Sequence, residues 1–356
     1  MTTIDKTMSV PEPRAGAGAG AGGSARLLEL RDLHVEFHTR EGVVKAVNGV
    51  NYSVDAGETL AVLGESGSGK SVTAQAIMGI LDMPPGRIPQ GEILFRGQDM
   101  LKMSGEERRK IRGRKIAMIF QDALSSLNPV LSVGYQLGEM FRVHEGMGRK
   151  EAKAKAIELM EKVKIPAAKE RVNDYPHQFS GGMRQRIMIA MALALEPDLI
   201  IADEPTTALD VTVQAQVMDL LAELQREYNV GLILITHDLG VVADVADKIA
   251  VMYAGRIVET APVHELYKRP AHPYTRGLLD SIPRLDQKGQ ELYAIKGLPP
   301  NLLKIPGGCA FNPRCPKAQD ICRTEIPALV PVTEQDGAQL PGRGSACHFW
   351  KETIHG

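Results

Sequence analysis

The chain has 356 residues and a formal net charge of −1, enough for one large domain with an appendage or for two ordinary ones. Its apolar and charged fractions, 44% and 24%, are those of an ordinary soluble protein, and the near-zero charge argues against a dedicated nucleic-acid binder, whose footprint is usually basic. The apolar run from Ile187 to Leu195 falls far short of the ~20 residues of a membrane-spanning helix, so the chain is not expected to cross a bilayer by itself.

Residues 1–26 contain an Ala-Gly repeat, Ala15 to Gly23, without the basic start and leucine-rich block of a secretory signal. Such a segment buries too little surface to offset its ordering entropy, which predicts a disordered tail and a cytosolic protein. Ordered structure should begin near Leu27. Leu28, Leu30, Leu33, Val35 and Phe37 make a broken period-two pattern, and residues 43–54 continue in β-rich composition. Residues 58–63 read as a buried strand and residues 71–81 as a helix. Between them lies Gly64-Glu65-Ser66-Gly67-Ser68-Gly69-Lys70-Ser71, a G-x4-G-K-S loop without deviation. Strand, glycine loop and helix in that order give the motif its meaning. The glycines let successive N–H groups face phosphate oxygens, helped by the helix N-terminus. Lys70 is expected to reach the β- and γ-phosphates of ATP, and the Ser71 hydroxyl to join a Mg²⁺ shell.

Residues 149–164 change character. Ala152, Ala156, Leu159, Met160 and Val163 recur at helical spacing among Lys and Glu, predicting an amphipathic helix in a helical subdomain over about residues 122–195. Residues 199–202 and 232–235 are continuous apolar runs, the pattern of parallel strands covered on both faces. Asp203 ends the first run, where its carboxylate could hold Mg²⁺. Glu204 follows and could polarise an attacking water. His237 ends the second run, where a γ-phosphate contact is needed. Gln121, after the apolar stretch 116–120, could contact both metal and water.

Beyond Ile257 the alternation of strand and helix stops, and prolines punctuate the chain from Pro262 to Pro327. A boundary is therefore expected near residue 260, dividing residues 27–260 from an extension over 261–356. All four cysteines, Cys309, Cys315, Cys322 and Cys347, lie in that extension. In a cytosolic chain such clustering points to a metal rather than to disulfides. Spacings of five, six and twenty-four residues match no paired zinc finger and no bacterial ferredoxin run, so spacing leaves zinc and an iron–sulfur cluster both open.

Ser180-Gly181-Gly182-Met183, set between the glycine loop and the acidic strand end, carries a resemblance. The chain resembles the ATPase subunits of bacterial ATP-binding-cassette (ABC) importers from about residue 27 onward, and is most similar to the dipeptide/oligopeptide subfamily. That resemblance implies an α/β P-loop ATPase core with an antiparallel β subdomain, a helical subdomain and a Pro-rich extension holding a metal site. It implies that Gln121 is the Q-loop, Ser180 to Met183 the signature, Ala208-Leu209-Asp210 the D-loop and His237 the switch histidine, with Phe37 stacking on adenine. The signature departs from Leu-Ser-Gly-Gly-Gln at both ends, reading Phe179 and Met183. Ser180, Gly181 and Gly182, a second helix N-terminus for the γ-phosphate, are intact.

In the family the signature serves the opposite subunit, so two chains sandwich two ATP molecules. The implied partners are a second, homologous ATPase subunit in a heterodimer, two membrane permease subunits and a substrate-binding protein outside the membrane, with no nucleic acid. The implied place is the cytoplasmic face of the bacterial inner membrane. The stretch from His272-Pro273-Tyr274-Thr275 to residues 308–316 is similar to the peptide-transporter extension, which implies a four-iron four-sulfur cluster on the four cysteines. Nickel, opine or glutathione import remains open as cargo, because the ATPase does not touch it. A soluble ABC protein acting on DNA or the ribosome is disfavoured by the single cassette and the absence of a basic block. A tail acting as a metal-sensing or docking module is a third expectation.

Overall fold

The computed structural model describes residues 26–207, 209–282, 294–334 and 337–355. The Ala-Gly stretch expected to form a disordered tail, and Ala208 of the expected D-loop, lie outside them.

Two sheets form the frame. The first is five-stranded and built on an antiparallel hairpin of Leu28–Thr39 and Gly42–Val54, extended by Glu92–Phe95 and Gln98–Asp99, with Gly86–Arg87 also paired to the first strand. The broken period of its first strand has a local cause. Asp32 takes a left-handed conformation, φ 45°, and the pairing register shifts between Leu30 and Leu33. This bulge resets the phase, so Leu28 and Leu30 before it and Leu33 and Val35 after it all face the core.

The second sheet has eight strands, in the order Val330–Thr333, Gln339–Ser345, Arg256–Pro262, Lys248–Tyr253, Thr59–Leu63, Gly231–Thr236, Leu199–Asp203 and Ile116–Ile119. The last five are mutually parallel, and the first three run antiparallel to their neighbours. Thr59–Leu63, Leu199–Asp203 and Gly231–Thr236 are buried at every position, which is why they read as unbroken apolar runs.

The helix leaving the glycine loop is Lys70–Met78, shorter than the residues 71–81 expected from periodicity. Gly79 ends it in the left-handed region, φ 62°, and its N–H bonds back to the Ala76 carbonyl. Val133–Glu145, Arg149–Lys162 and Gly181–Leu193 form the helical layer. Ala152, Ala156 and Met160 face inward from Arg149–Lys162, as its periodicity predicts.

Residue 260 falls inside the strand Arg256–Pro262, and the extension adds its two strands to the same sheet. The strand Arg256–Pro262 runs past Ile257, and the regular alternation of the core does not resume as such. Regular structure continues in short pieces, including the helices Val263–Lys268, Pro273–Asp280, Asp320–Thr324 and Trp350–His355. Pro331 is tolerated because Val330–Thr333 is the edge strand, where no outer neighbour needs its missing N–H.

Candidate active site

Because the inner strands run parallel, their C-terminal ends open on one edge of the sheet. Four segments leave that edge together: the glycine loop, Gln121, Asp203-Glu204 and His237. The glycine loop is pinned from outside. A Cβ at Gly64 would lie 2.2 Å from the Met252 carbonyl oxygen, and one at Gly69 would lie 2.2 Å from that of Ala46. Their φ values, 153° and 104°, are open to glycine and disfavoured for other residues.

Lys70 is buried, and its Nζ donates to the carbonyls of Gly64 at 2.7 Å and Glu65 at 3.0 Å. Burial lowers its pKa, and the carboxylates of Glu204, Asp203 and Glu65 pull it back up. The Ser71 hydroxyl donates to Asp203 Oδ1 at 3.0 Å. Burial raises the pKa of Asp203 and the Ser71 bond opposes that shift. Ser68 Oγ is buried and has no hydrogen-bond partner among the described residues.

Glu204 stands next to this pair in a left-handed conformation, φ 45°, with its N–H bonded to the Ile235 carbonyl at 2.8 Å. Its carboxylate gathers three side chains. Gln121 Nε2 and Thr207 Oγ1 each donate to Oε2 at 3.0 Å, and His237 Nδ1 lies 3.5 Å from Oε1. The fold thus brings Gln121, Glu204 and His237 together at one carboxylate, beside Lys70, Ser71 and Asp203. Thr207 escapes sequence reasoning, because a threonine in a Thr-Thr pair after a strand carries no signal of its own.

Ser180, Gly181 and Gly182 are held differently. Ser180 caps the helix Gly181–Leu193, its Oγ accepting from the Met183 N–H at 3.4 Å. A Cβ at Gly182 would lie 2.4 Å from Val213 Cγ1, so this glycine lets Gly181–Leu193 approach the helix Val211–Tyr228. Among the described residues, no hydrogen bond joins these three to the glycine loop of the same chain. Phe179 and Met183 share one neighbour. The Arg171 guanidinium lies 4.2 Å from the Phe179 ring centroid, and its Nη1 is 3.4 Å from Met183 Sδ. Asp210 caps Val211–Tyr228 through a 3.0 Å bond from the Val213 N–H. Phe37 is half-buried against the core of the antiparallel sheet, paired with Val44 and Gly86.

Residues 47–207 match the family model for ABC transporters, and residues 258–322 match the oligopeptide/dipeptide transporter C-terminal region. The chain is 54% identical over 310 residues to the oligopeptide transport ATP-binding protein OppD of Bacillus subtilis, covering 87% of each chain. The chain belongs to the ABC transporter ATP-binding family, in its oligopeptide/dipeptide branch. It is 52% identical over 321 residues to OppD of Salmonella typhimurium, covering 90% of this chain and 93% of that one. The dipeptide transport ATP-binding protein DppD of Bacillus subtilis is 52% identical over 302 residues, covering 85% of this chain and 90% of that one. Among solved structures, a dimeric ATP-binding cassette in a post-hydrolysis state with ADP and Pi matches with a TM-score of 0.60 and 27% identity, over 66% of this chain and 98% of that one. The chain is accordingly an ABC ATPase.

The oligopeptide/dipeptide-type extension carries the four cysteines on one small cavity, which His272, Phe311 and Phe349 also line. All four are free thiols. Burial raises the pKa of Cys309 and Cys315 and pushes Cys347 up to about 12. Among the described residues, no three His, Cys, Asp or Glu side chains form a group that could hold a metal ion. The metal site expected here is therefore not present as converged ligands. The thiols come from separate segments and line a shared space. No described helix is long and apolar enough to cross a membrane.

Proposed function

We propose that this ABC ATPase hydrolyses ATP in a two-chain sandwich and thereby powers uptake of di- or oligopeptides through separate membrane subunits. The observation that carries the reading is the convergence of Gln121, Thr207 and His237 on Glu204, next to the Ser71–Asp203 pair and Lys70.

In this reading the glycine loop, residues 64–71, wraps the phosphates with its backbone N–H groups. Lys70, its Nζ held by the carbonyls of Gly64 and Glu65, keeps a third N–H for a phosphate oxygen, and the Ser68 hydroxyl, without a partner among the described residues, is available to the same ligand. Ser71 and Asp203, a hydroxyl and a buried carboxylate already in contact, suit a hard oxygen-seeking cation and would hold Mg²⁺ with Gln121 at its margin. Bound there with ATP, Mg²⁺ would neutralise charge building on the phosphate oxygens. Glu204 orients the attacking water and takes its proton. Gln121 and Thr207 fix the carboxylate's direction, and His237 contacts the γ-phosphate. Phe37 stacks on the adenine.

Ser180, Gly181 and Gly182 serve the nucleotide of the opposite chain, and Asp210 lies at the joint between the two chains. Ser180 caps the start of Gly181–Leu193, a helix N-terminus of the kind that receives phosphate, which supports that assignment. The opposite chain is a second, homologous ATPase. Residues 122–143 receive the membrane subunits, and the exposed Val130, Tyr135 and Val143 provide the apolar contacts. The chain then sits on the cytoplasmic face of the membrane, with a substrate-binding protein on the other side. Peptide cargo is favoured over nickel, opine or glutathione by the names of the relatives alone. Residues 27–260 form the cassette, and residues 261–356 its extension.

The four cysteines would bind a four-iron four-sulfur cluster, one thiol to each iron. Zinc needs its thiolates about 2.3 Å from a single point. Four cysteines lining one cavity are a donor set that such a cluster takes and that zinc also takes. Anaerobic purification should yield about four irons and matching acid-labile sulfide per chain, whereas stoichiometric zinc without iron would exclude the cluster.

Uptake of a labelled tripeptide by the source cells tests the whole reading. Uptake should vanish when the gene is deleted and return with the wild-type copy but not with Lys70→Ala. Uptake that a Lys70→Ala copy restores would refute it.

A further inference from the structure

Glu65, the second residue of the phosphate loop, is gripped by the extension. Arg314 forms a two-pronged ion pair with it, Nη1 to Oε2 at 2.5 Å and Nη2 to Oε1 at 2.9 Å. The Glu65 N–H donates to the Tyr274 hydroxyl at 2.9 Å. The Glu65 carbonyl in turn accepts from Lys70 Nζ at 3.0 Å. Side chain, N–H and carbonyl of one residue therefore join the extension to the lysine that meets the phosphates.

The grip is a built one. The Arg314 side chain is 5% exposed. Its remaining donors are used as well, Nε to the Lys296 carbonyl at 3.2 Å and Nη1 to the Tyr253 hydroxyl at 3.4 Å. Beneath it Tyr253, Tyr274 and Phe311 pack with ring centroids 4.6 to 5.3 Å apart, all fully buried. Tyr253 ends a strand of the main sheet, whereas Tyr274 and Phe311 belong to the extension. A planar guanidinium locked on both edges holds a carboxylate in one orientation, which a flexible ammonium cannot do.

We infer that Arg314 and Tyr274 are positioning residues for the ATPase site: they fix Glu65 and, through its carbonyl, set Lys70 for phosphate. The extension is then a working part of the nucleotide site. Because Arg314 lies next to Cys315 and Phe311 between Cys309 and Cys315, any change that moves the cysteine-bearing loop reaches the phosphate loop through the same contacts, and nucleotide binding reaches that loop in return. The inference rests on the phosphate-loop reading above.

The test measures ATP affinity and melting temperature on the full chain, with KM and kcat from the ATPase activity of its assembly with the partner ATPase. Arg314→Ala should weaken ATP binding and raise KM about tenfold, the scale of ~1.4 kcal/mol, with a much smaller change in kcat. Arg314→Lys should recover part of the affinity, and Glu65→Gln, which preserves shape, should lose a similar amount to Arg314→Ala. In the double variant the losses should not add, because both remove one contact. A lower melting temperature with wild-type ATP affinity in Arg314→Ala and Glu65→Gln would reduce the contact to a structural staple and overturn the inference. Lys70→Ala separates the two levels. Wild-type affinity there would overturn the phosphate-loop reading itself, whereas its loss alongside intact affinity in the Glu65 and Arg314 variants would overturn only the clamp.

Discussion

Glu259 and His272 show how single buried groups tie the extension to the core. Glu259 lies on the strand Arg256–Pro262, and its two carboxyl oxygens accept from the N–H groups of Ala271 at 2.7 Å and His272 at 2.9 Å. Burial pushes its pKa from 4.5 up to about 7, against those hydrogen bonds and the nearby Arg343. Burial pushes His272 from 6.5 down to about 3. The signs oppose. Unfolding releases a proton from Glu259 between pH 4.5 and 7, so its contribution to stability falls as pH rises through that window. Unfolding lets His272 gain a proton between pH 3 and 6.5, so its contribution falls as pH drops. The two offset each other between 4.5 and 6.5, and below 4.5 only the histidine acts. Glu259→Gln removes one partner of this balance. Its melting temperature should therefore gain on that of the wild type as pH is raised from 4.5 to 7 and hold level above that. A difference that stays constant with pH would show that Glu259 is already ionised in the fold.

At the scale of elements, legibility in the sequence follows range. The positions of the glycine loop, Glu204 and His237 are legible because each directly follows a strand buried on both faces, and that of Asp203 because it ends one, the apolar run marking where the chain emerges. Arg149–Lys162 was readable because its buried residues repeat with the helical period. The strands Val330–Thr333 and Gln339–Ser345 were not. They carry Pro331, Pro341, Gly342 and Gly344, and are strands only because Arg256–Pro262 offers a free edge. The end of the helix Lys70–Met78 is hidden for a local reason, since Ile80 and Leu81 continue the apolar pattern past Gly79, which breaks the helix. The Glu65–Arg314 pair spans 249 positions, and no local pattern reports a contact of that range. The cysteines sit between these cases. Their clustering was visible and they do share a cavity, but spacing along the chain could not say how closely the thiols converge.

For the whole molecule, one sheet carries both the proposed chemistry and the extension. Its parallel half ends in the glycine loop, Gln121, Asp203, Glu204 and His237, and its antiparallel half carries the cysteine-bearing region back to Glu65. The helix Gly181–Leu193 starts elsewhere, Ser180 engaged with its own helix and Gly182 packed against Val213. In the proposed mechanism a second cassette must bring the missing helix N-terminus. The carboxylate on which Gln121, Thr207 and His237 converge then decides turnover, while the phosphate loop decides binding. The most direct measurement compares ATP binding and ATP turnover by this chain, assembled with its partner ATPase, and by the same assembly carrying Glu204→Gln. The account predicts that the variant retains ATP affinity while turnover falls at least ~100-fold, the scale of lost general-base catalysis. Near-wild-type turnover in Glu204→Gln would contradict it.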